Sequence, residues 1–149
     1  MKEPRERIAT YKIADIREGQ GFSFQRTISK EELDAFANLS GDINPLHMDD
    51  KFAQSRGFKN RVVHGALLIA YISKMVGVYF PGENCLIQTL SLNFLAPAYI
   101  NDEIEINGTV DQVSPALNVI ILKVAIKNLK NNIILAEGRM QIGFTKGKE

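Results

Sequence analysis

The chain has 149 residues, a net charge of +1, 45% hydrophobic and 23% charged residues, which describes one globular domain able to bury about two-thirds of its unfolded surface. Basic residues form no block beyond the Lys146-Gly147-Lys148 tail and the scattered Lys2, Arg5 and Arg7, which argues against nucleic-acid binding, where a basic face is needed. No apolar run reaches ~18 residues, so no transmembrane helix is expected.

The single cysteine, Cys85, leaves no internal disulfide, suits a reducing, cytoplasmic setting, and reads as inert. The first seven residues carry acidic groups and no apolar stretch, so they do not read as a signal peptide. Residues 1–20 are read as a peripheral extension, 21–145 as the domain and 146–149 as a tail. Within the extension, Ile8, Tyr11, Ile13 and Ile16 are spaced to lay a short strand on the body.

Gly19-Gln20-Gly21 is a turn, and Phe22 to Ile28 alternates as a strand does. Ser29-Lys30-Glu31-Glu32 is a capping box: the Ser29 hydroxyl accepts the Glu32 amide, and the Glu32 carboxylate accepts the Ser29 amide. Ile28 and Leu33 flank it as a hydrophobic staple. The helix it opens presents Leu33, Phe36 and Ala37 on one face and stops at Ser40-Gly41. Asp49 or Asp50 caps a second short helix bearing Phe52 and Ala53, closed by Gly57 with Phe58 behind it.

Gly65 to Phe80 is the longest apolar segment, interrupted by one charge, Lys74, and ended by Pro81-Gly82. A helix apolar nearly all round is expected to be buried on most sides. The remainder reads as strands over Leu86–Leu95, Glu103–Val113, Val119–Leu129 and Ile133–Phe144. The last two pair as a hairpin about Lys130-Asn131-Asn132. Core faces are expected from Leu90, Leu92 and Phe94, from Ile104, Ile106 and Val110, and from Ala136, Met140, Ile142 and Phe144. Long antiparallel strands with one apolar face and one buried helix define an α+β protein whose sheet wraps that helix.

The stretch that carries chemistry is Ser40-Gly41-Asp42-Ile43-Asn44-Pro45-Leu46-His47-Met48-Asp49. On a continuous α-helix, Asp42 and His47 would diverge by about 140°; fully extended, they would stand up to roughly 17 Å apart. Pro45 lacks an N–H and pushes Asn44 out of the helical region. A turn there lets the two side chains converge, and a converged carboxylate and imidazole can hold and deprotonate one water. Ordinary turn chemistry would also explain Asp and Asn beside a proline. A metal site on Asp42, His47, Asp49 and Asp50 lacks a His-x-x-x-His pair or a cysteine cluster, and none is expected.

The whole run Ser40 to Ala53, with Gly57-Phe58 and then His64-Gly65-Ala66-Leu67-Leu68, resembles the signature of the (R)-specific enoyl-CoA hydratases, the MaoC-like dehydratases of the hot-dog fold. The resemblance is specific over residues 40–73, with Ser73 as its last point, and continues by strand pattern alone to Phe144. It implies a hot-dog sheet around the long helix. The activity it implies is reversible syn addition of water to a trans-2-enoyl thioester, giving the (R)-3-hydroxyacyl thioester.

It assigns Asp42 and His47 to the water, with acid and base unallocated between them. Gly65 is its oxyanion donor, and there is an independent physical reason: the first amides of a helix are unpaired and the dipole is positive there. Asn44 is either the turn former before Pro45 or a partner of a catalytic group. His64 reads as a satisfied structural histidine rather than a second base. Ser73 either orients the pair or packs in the core, and Tyr71, Met75 and Tyr79 read as core. The thioester is the substrate, and no cofactor is expected. The two open edges of such a sheet predict a homodimer or dimer-based assembly. An acyl-thioester binder without hydratase activity and a thioesterase are the alternative functions.

Overall fold

Alternation with period two decides the sheet. In a computed structural model of the chain, which describes residues 6–147, the alternating runs become β1 (Gly21–Thr27), β2 (Cys85–Phe94), β3 (Glu103–Ser114), β4 (Val119–Asn128) and β5 (Ile134–Phe144). The charged start (Met1–Arg5) and Lys148–Glu149 lie outside the described residues. The five strands form one antiparallel sheet in the order β1-β3-β4-β5-β2. Ile104, Ile106 and Val110 of β3, Ile120, Leu122 and Ile126 of β4, and Met140 and Ile142 of β5 are buried. The β4–β5 hairpin turns where expected, with Asn128 Oδ1 accepting the Lys130 amide at 2.9 Å.

The helices follow from their caps. Helix α1 (Lys30–Ser40) starts from the full Ser29/Glu32 capping box and ends at Gly41, whose φ of 77° is the left-handed conformation glycine tolerates. Helix α2 is a single turn (Pro45–Met48) and α3 (Asp50–Ser55) is capped by Asp49. The Gly57 and Phe58 amides close α3 on the carbonyls of Gln54 and Ala53, both at 3.1 Å. Helix α4 (Gly65–Lys74) is the central one, and Leu67, Leu68, Tyr71 and Ile72 along it belong to the same core as the sheet. Each such fully buried side chain contributes roughly 1.5–3 kcal/mol. A five-stranded antiparallel sheet wrapped round one helix is the hot-dog fold.

Three expectations are corrected. The long apolar segment is not one α-helix to Phe80: after Lys74 it widens into a π-helix, Met75–Tyr79. Nor is it covered all round, because Ala66, Ala70, Ser73 and Gly77 form an exposed strip of small residues. A single sheet covers one side of a helix, and these four positions on the other side stay exposed among the described residues. Lastly, Ile8 to Ile16 form no strand among the described residues. The segment makes one bridge, Thr10 to Gly82, and a 3-10 turn, Ile13–Asp15. Backbone contacts fasten it over the end of the central helix: the Ala9 amide donates to Val78 O at 2.7 Å and the Tyr11 amide to Pro81 O at 3.1 Å. Ile16 alone of its apolar residues is buried. No helix among the described residues is long and apolar enough to cross a membrane.

Candidate active site

Pro45 sits at the first position of α2, where its missing N–H is no loss. Asn44 caps that turn, its Oδ1 accepting the Leu46 amide at 3.0 Å. Its backbone amide also reaches the Asp42 carboxylate, at 3.3 Å from Oδ1. Asn44 therefore serves the turn with its side chain and the acid with its main chain. The fold-back brings Asp42 Oδ2 to 3.8 Å from His47 Nε2. That separation is too long for a direct hydrogen bond and short enough for both atoms to accept from one water.

The imidazole is oriented from behind. His47 Nδ1 lies 2.6 Å from the carbonyl oxygen of Val62. A carbonyl can only accept, so Nδ1 carries the proton, and in the neutral ring Nε2 is left as the acceptor facing Asp42. The His47 side chain is 15% exposed and the Asp42 side chain 50%, so the pair spans the boundary between the body and solvent.

His64 is buried at 2% exposure. Its ring stacks on His47, with centroids 3.9 Å apart, and its Nε2 lies 3.0 Å from the Asp42 carbonyl oxygen. Its Nδ1 is buried without a partner among the described residues. It is thus not the fully satisfied histidine that the sequence suggests. The possible ligand atoms of Asp42, His47 and His64 all lie within 4.8 Å of one another. Asp49 and Asp50 are engaged elsewhere, Asp49 on the first amides of α3 and Asp50 on the Arg61 amide at 2.9 Å.

Gly65 opens α4, and its N-cap His64 offers no side-chain hydrogen bond to the first turn. The amides there are those that a helix start leaves unpaired. His47 and Gly65 line one cleft of about 520 Å³ with Phe58, Val62, Leu68 and Phe94. The lining side chains are apolar apart from the imidazole. A groove of about 610 Å³ on the outer sheet face and one of about 810 Å³ beside the 128–133 hairpin have no histidine in their linings.

Ser73 does not join this group. Its side chain is exposed, and among the described residues its hydroxyl forms no hydrogen bond to Asp42 or His47. Tyr71 and Met75 are core, and the Tyr71 hydroxyl donates to Glu32 Oε2 at 2.8 Å. Burial pushes the Cys85 thiol up to about 11.

The residue that sequence reasoning misses is Arg61. It is 7% exposed; its Nε donates to the His47 carbonyl oxygen at 2.6 Å and its Nη2 to Asp34 Oδ1 at 2.5 Å. Hydrogen bonds from Arg61 and then Lys30 hold the Asp34 carboxyl below the usual range. The signal was faint: one arginine beside two valines, just ahead of His64-Gly65.

Residues 13–130 match the MaoC like domain family, and the chain belongs to that family. An (R)-specific enoyl-CoA hydratase of Rhodospirillum rubrum is 40% identical over 101 residues, covering 68% of this chain and 70% of that protein. A mitochondrial 3-hydroxyacyl-[acyl-carrier-protein] dehydratase of Arabidopsis thaliana is 38% identical over 109 residues, covering 72% of this chain and 63% of that one. Among solved structures, an (R)-hydratase from A. caviae involved in PHA biosynthesis superposes with a TM-score of 0.82 at 28% identity, over 87% of this chain and 97% of that chain. The R-hydratase PhaJ1 from Pseudomonas aeruginosa superposes with a TM-score of 0.86 at 26% identity, over 94% of this chain and 89% of that chain.

Proposed function

We propose that the protein is a hydro-lyase that adds water reversibly to trans-2-enoyl-CoA, giving (R)-3-hydroxyacyl-CoA. The observation that carries this reading is the pair of acceptors, Asp42 Oδ2 and His47 Nε2, held 3.8 Å apart at an apolar cleft that begins beside a helix N-terminus. The names of the similar proteins, (R)-specific enoyl-CoA hydratase above all, support it.

The water donates one O–H to each acceptor, so its oxygen lone pair faces the substrate Cβ. As the C–O bond forms, one water proton passes to a member of the pair. The π electrons move toward the thioester, whose oxygen becomes negative beside the Gly65 amide. A proton from the pair is delivered to Cα, and proton exchange between Asp42 and His47 restores the starting state. The sum is one water added, balanced by the thioester, the water and two side chains without a cofactor. Because acid and base sit on one side of the substrate, hydroxyl and proton enter the same face.

The working unit in this proposal is a homodimer. Among the described residues β2 is an edge strand that pairs only with β5, and along or beside it Leu86, Ile87, Phe94 and Leu95 are 52%, 37%, 51% and 55% exposed. Together with the bare strip on α4, this edge suits a second copy that continues the sheet and covers the helix. A reducing compartment such as the cytoplasm suits the single, partly buried free thiol.

A binder without hydratase activity would have no use for the Asp42–His47 pair, nor would a thioesterase need two acceptors set for one water. Ultraviolet absorbance of the conjugated double bond tests the proposal: crotonyl-CoA should lose it on addition of the protein, with (R)-3-hydroxybutyryl-CoA as product. Binding without loss of absorbance, or release of free CoA alone, would contradict it.

A further inference from the structure

The acid–base pair rests on structure too slight to hold itself. α2 is four residues long, far below the length at which a helix is stable alone. Within its own sequence neighbourhood the Asp42 loop has short-range bonds such as the Asp42 amide to Ser40 Oγ at 3.1 Å and the Asn44 amide to Asp42 Oδ1 at 3.3 Å. What holds both is the extended segment 61–64. The Val62 amide donates to Leu46 O at 3.1 Å, and the Val62 carbonyl accepts from His47 Nδ1. On either side of it, two buried side chains do the same kind of work. Arg61 Nε donates to the carbonyl of His47 at 2.6 Å, and His64 Nε2 donates to the carbonyl of Asp42 at 3.0 Å.

We infer that Arg61 and His64 are positioning residues: each grips the backbone of one member of the acid–base pair and together they set the Asp42–His47 separation. Stability alone does not account for their choice. The Arg61 guanidinium already has an anionic partner in Asp34, yet it also presents Nε to His47. The His64 ring is held between the rings of Phe36 and His47. Filling that space with imidazole leaves Nδ1 buried and unpartnered, a desolvation penalty that an aliphatic side chain would avoid. What the imidazole gains there is the one bond to Asp42. A misplacement of catalytic groups on the order of 1 Å can cost about 10²-fold in rate, so a clamp on each carbonyl acts on turnover.

The inference rests on Asp42 and His47 being the catalytic pair, and the experiment separates the two claims. Arg61→Lys keeps a cation for Asp34 but loses the planar donor to His47. His64→Leu loses the donor to Asp42, while His64→Gln places an amide N–H near the lost Nε2. Turnover of crotonyl-CoA is measured for each, with folding checked by thermal melting and the His47 tautomer read from imidazole nitrogen NMR. Arg61→Lys and His64→Leu should lower kcat by about tenfold or more with KM within about twofold, and His64→Gln should recover a good part of the loss. In Arg61→Lys the fixed Nδ1–H signature of His47 should weaken. Folded variants with kcat within about threefold of wild type, or with the loss in KM alone, would overturn the inference. If His64→Leu does not fold, Arg61→Lys decides by the same criteria. Fully active Asp42→Asn and His47→Gln would instead remove the catalytic assignment beneath it.

Discussion

Phe94 lies with its ring against the backbone of Gly65: a Cβ built on the glycine would stand 2.9 Å from Cε1 and Cζ of that ring. The ring belongs to an edge strand and is half exposed, so it can swing aside. Gly65→Ala should therefore fold with near-normal stability, while its methyl group crowds the position proposed for the thioester oxygen. Loss of one oxyanion contact lowers rates by about 10²–10³-fold, which sets the scale for the fall in kcat/KM. Adding Phe94→Ala separates the causes: activity should stay low in the double variant, and its full return would assign the defect to the displaced ring. Unchanged kinetics in a stable Gly65→Ala protein would take Gly65 out of the site.

The Ser29 cap makes a prediction about stability alone. Its Oγ accepts the Glu32 amide at 3.1 Å, and the Glu32 carboxylate accepts the Ser29 amide at the same distance. Ser29→Ala should destabilise the protein by about 1 kcal/mol, read as a lower urea midpoint with an unchanged slope. Turnover under native conditions should not move. A stability unchanged within error would mean that the capping box contributes nothing.

Cys85 should be a poor nucleophile. Burial raises its thiol from 9.0 to about 11, against a smaller lowering effect of the Gly82 backbone. At pH 8 the folded chain should hold about a hundredfold less thiolate than the unfolded chain, and iodoacetamide should alkylate it correspondingly slowly until urea is added. The linkage has a definite sign. The native state keeps this proton where the unfolded state has lost it, so stability contributed by the thiol is present below the unfolded value. It declines as pH rises from about 9 toward 11. Equal alkylation rates with and without urea would contradict the burial argument.

The exposed edge of β2 and the uncovered strip on α4 predict that the active protein is not a monomer. Sedimentation equilibrium at micromolar concentration should give a species of at least twice the 16.6 kDa chain mass. A single species at the chain mass with full hydratase activity would sink the dimer.

Local chemistry was the legible part of this protein. The Ser29/Glu32 box, the Gly57-Phe58 stop and the alternation of β3, β4 and β5 each depend on residues a few positions apart, and the structure has them where expected. The approach of Asp42 to His47 was legible for the same reason, since Pro45 forces the turn between them. What escaped depends on distant contacts. Arg61 reaches back 14 residues to His47 and 27 to Asp34, and nothing in its own neighbourhood announces either. Phe94 alternates correctly with Leu90 and Leu92 yet is half exposed, because β2 is an edge. The N-terminal segment is tied down in good part by backbone groups that every sequence has, the Ala9 and Tyr11 amides on Val78 O and Pro81 O and the Glu83 amide on Ala9 O. Ser73 lies on the side of α4 that a single sheet leaves bare.

The proposed hydration requires Asp42 and His47 to hold and activate the water. Asp42 is half exposed and its carboxylate bonds within its own loop, so Asp42→Asn should leave the fold intact. His47→Gln is the riskier variant, since His47 also donates to Val62 O and stacks on His64. The most direct measurement is therefore kcat of Asp42→Asn on crotonyl-CoA beside the wild type. Acid–base partners supply about 10²–10⁴-fold, so turnover should fall at least about a hundredfold with the melting temperature nearly unchanged. A folded Asp42→Asn protein that kept about a third of wild-type turnover would contradict the account.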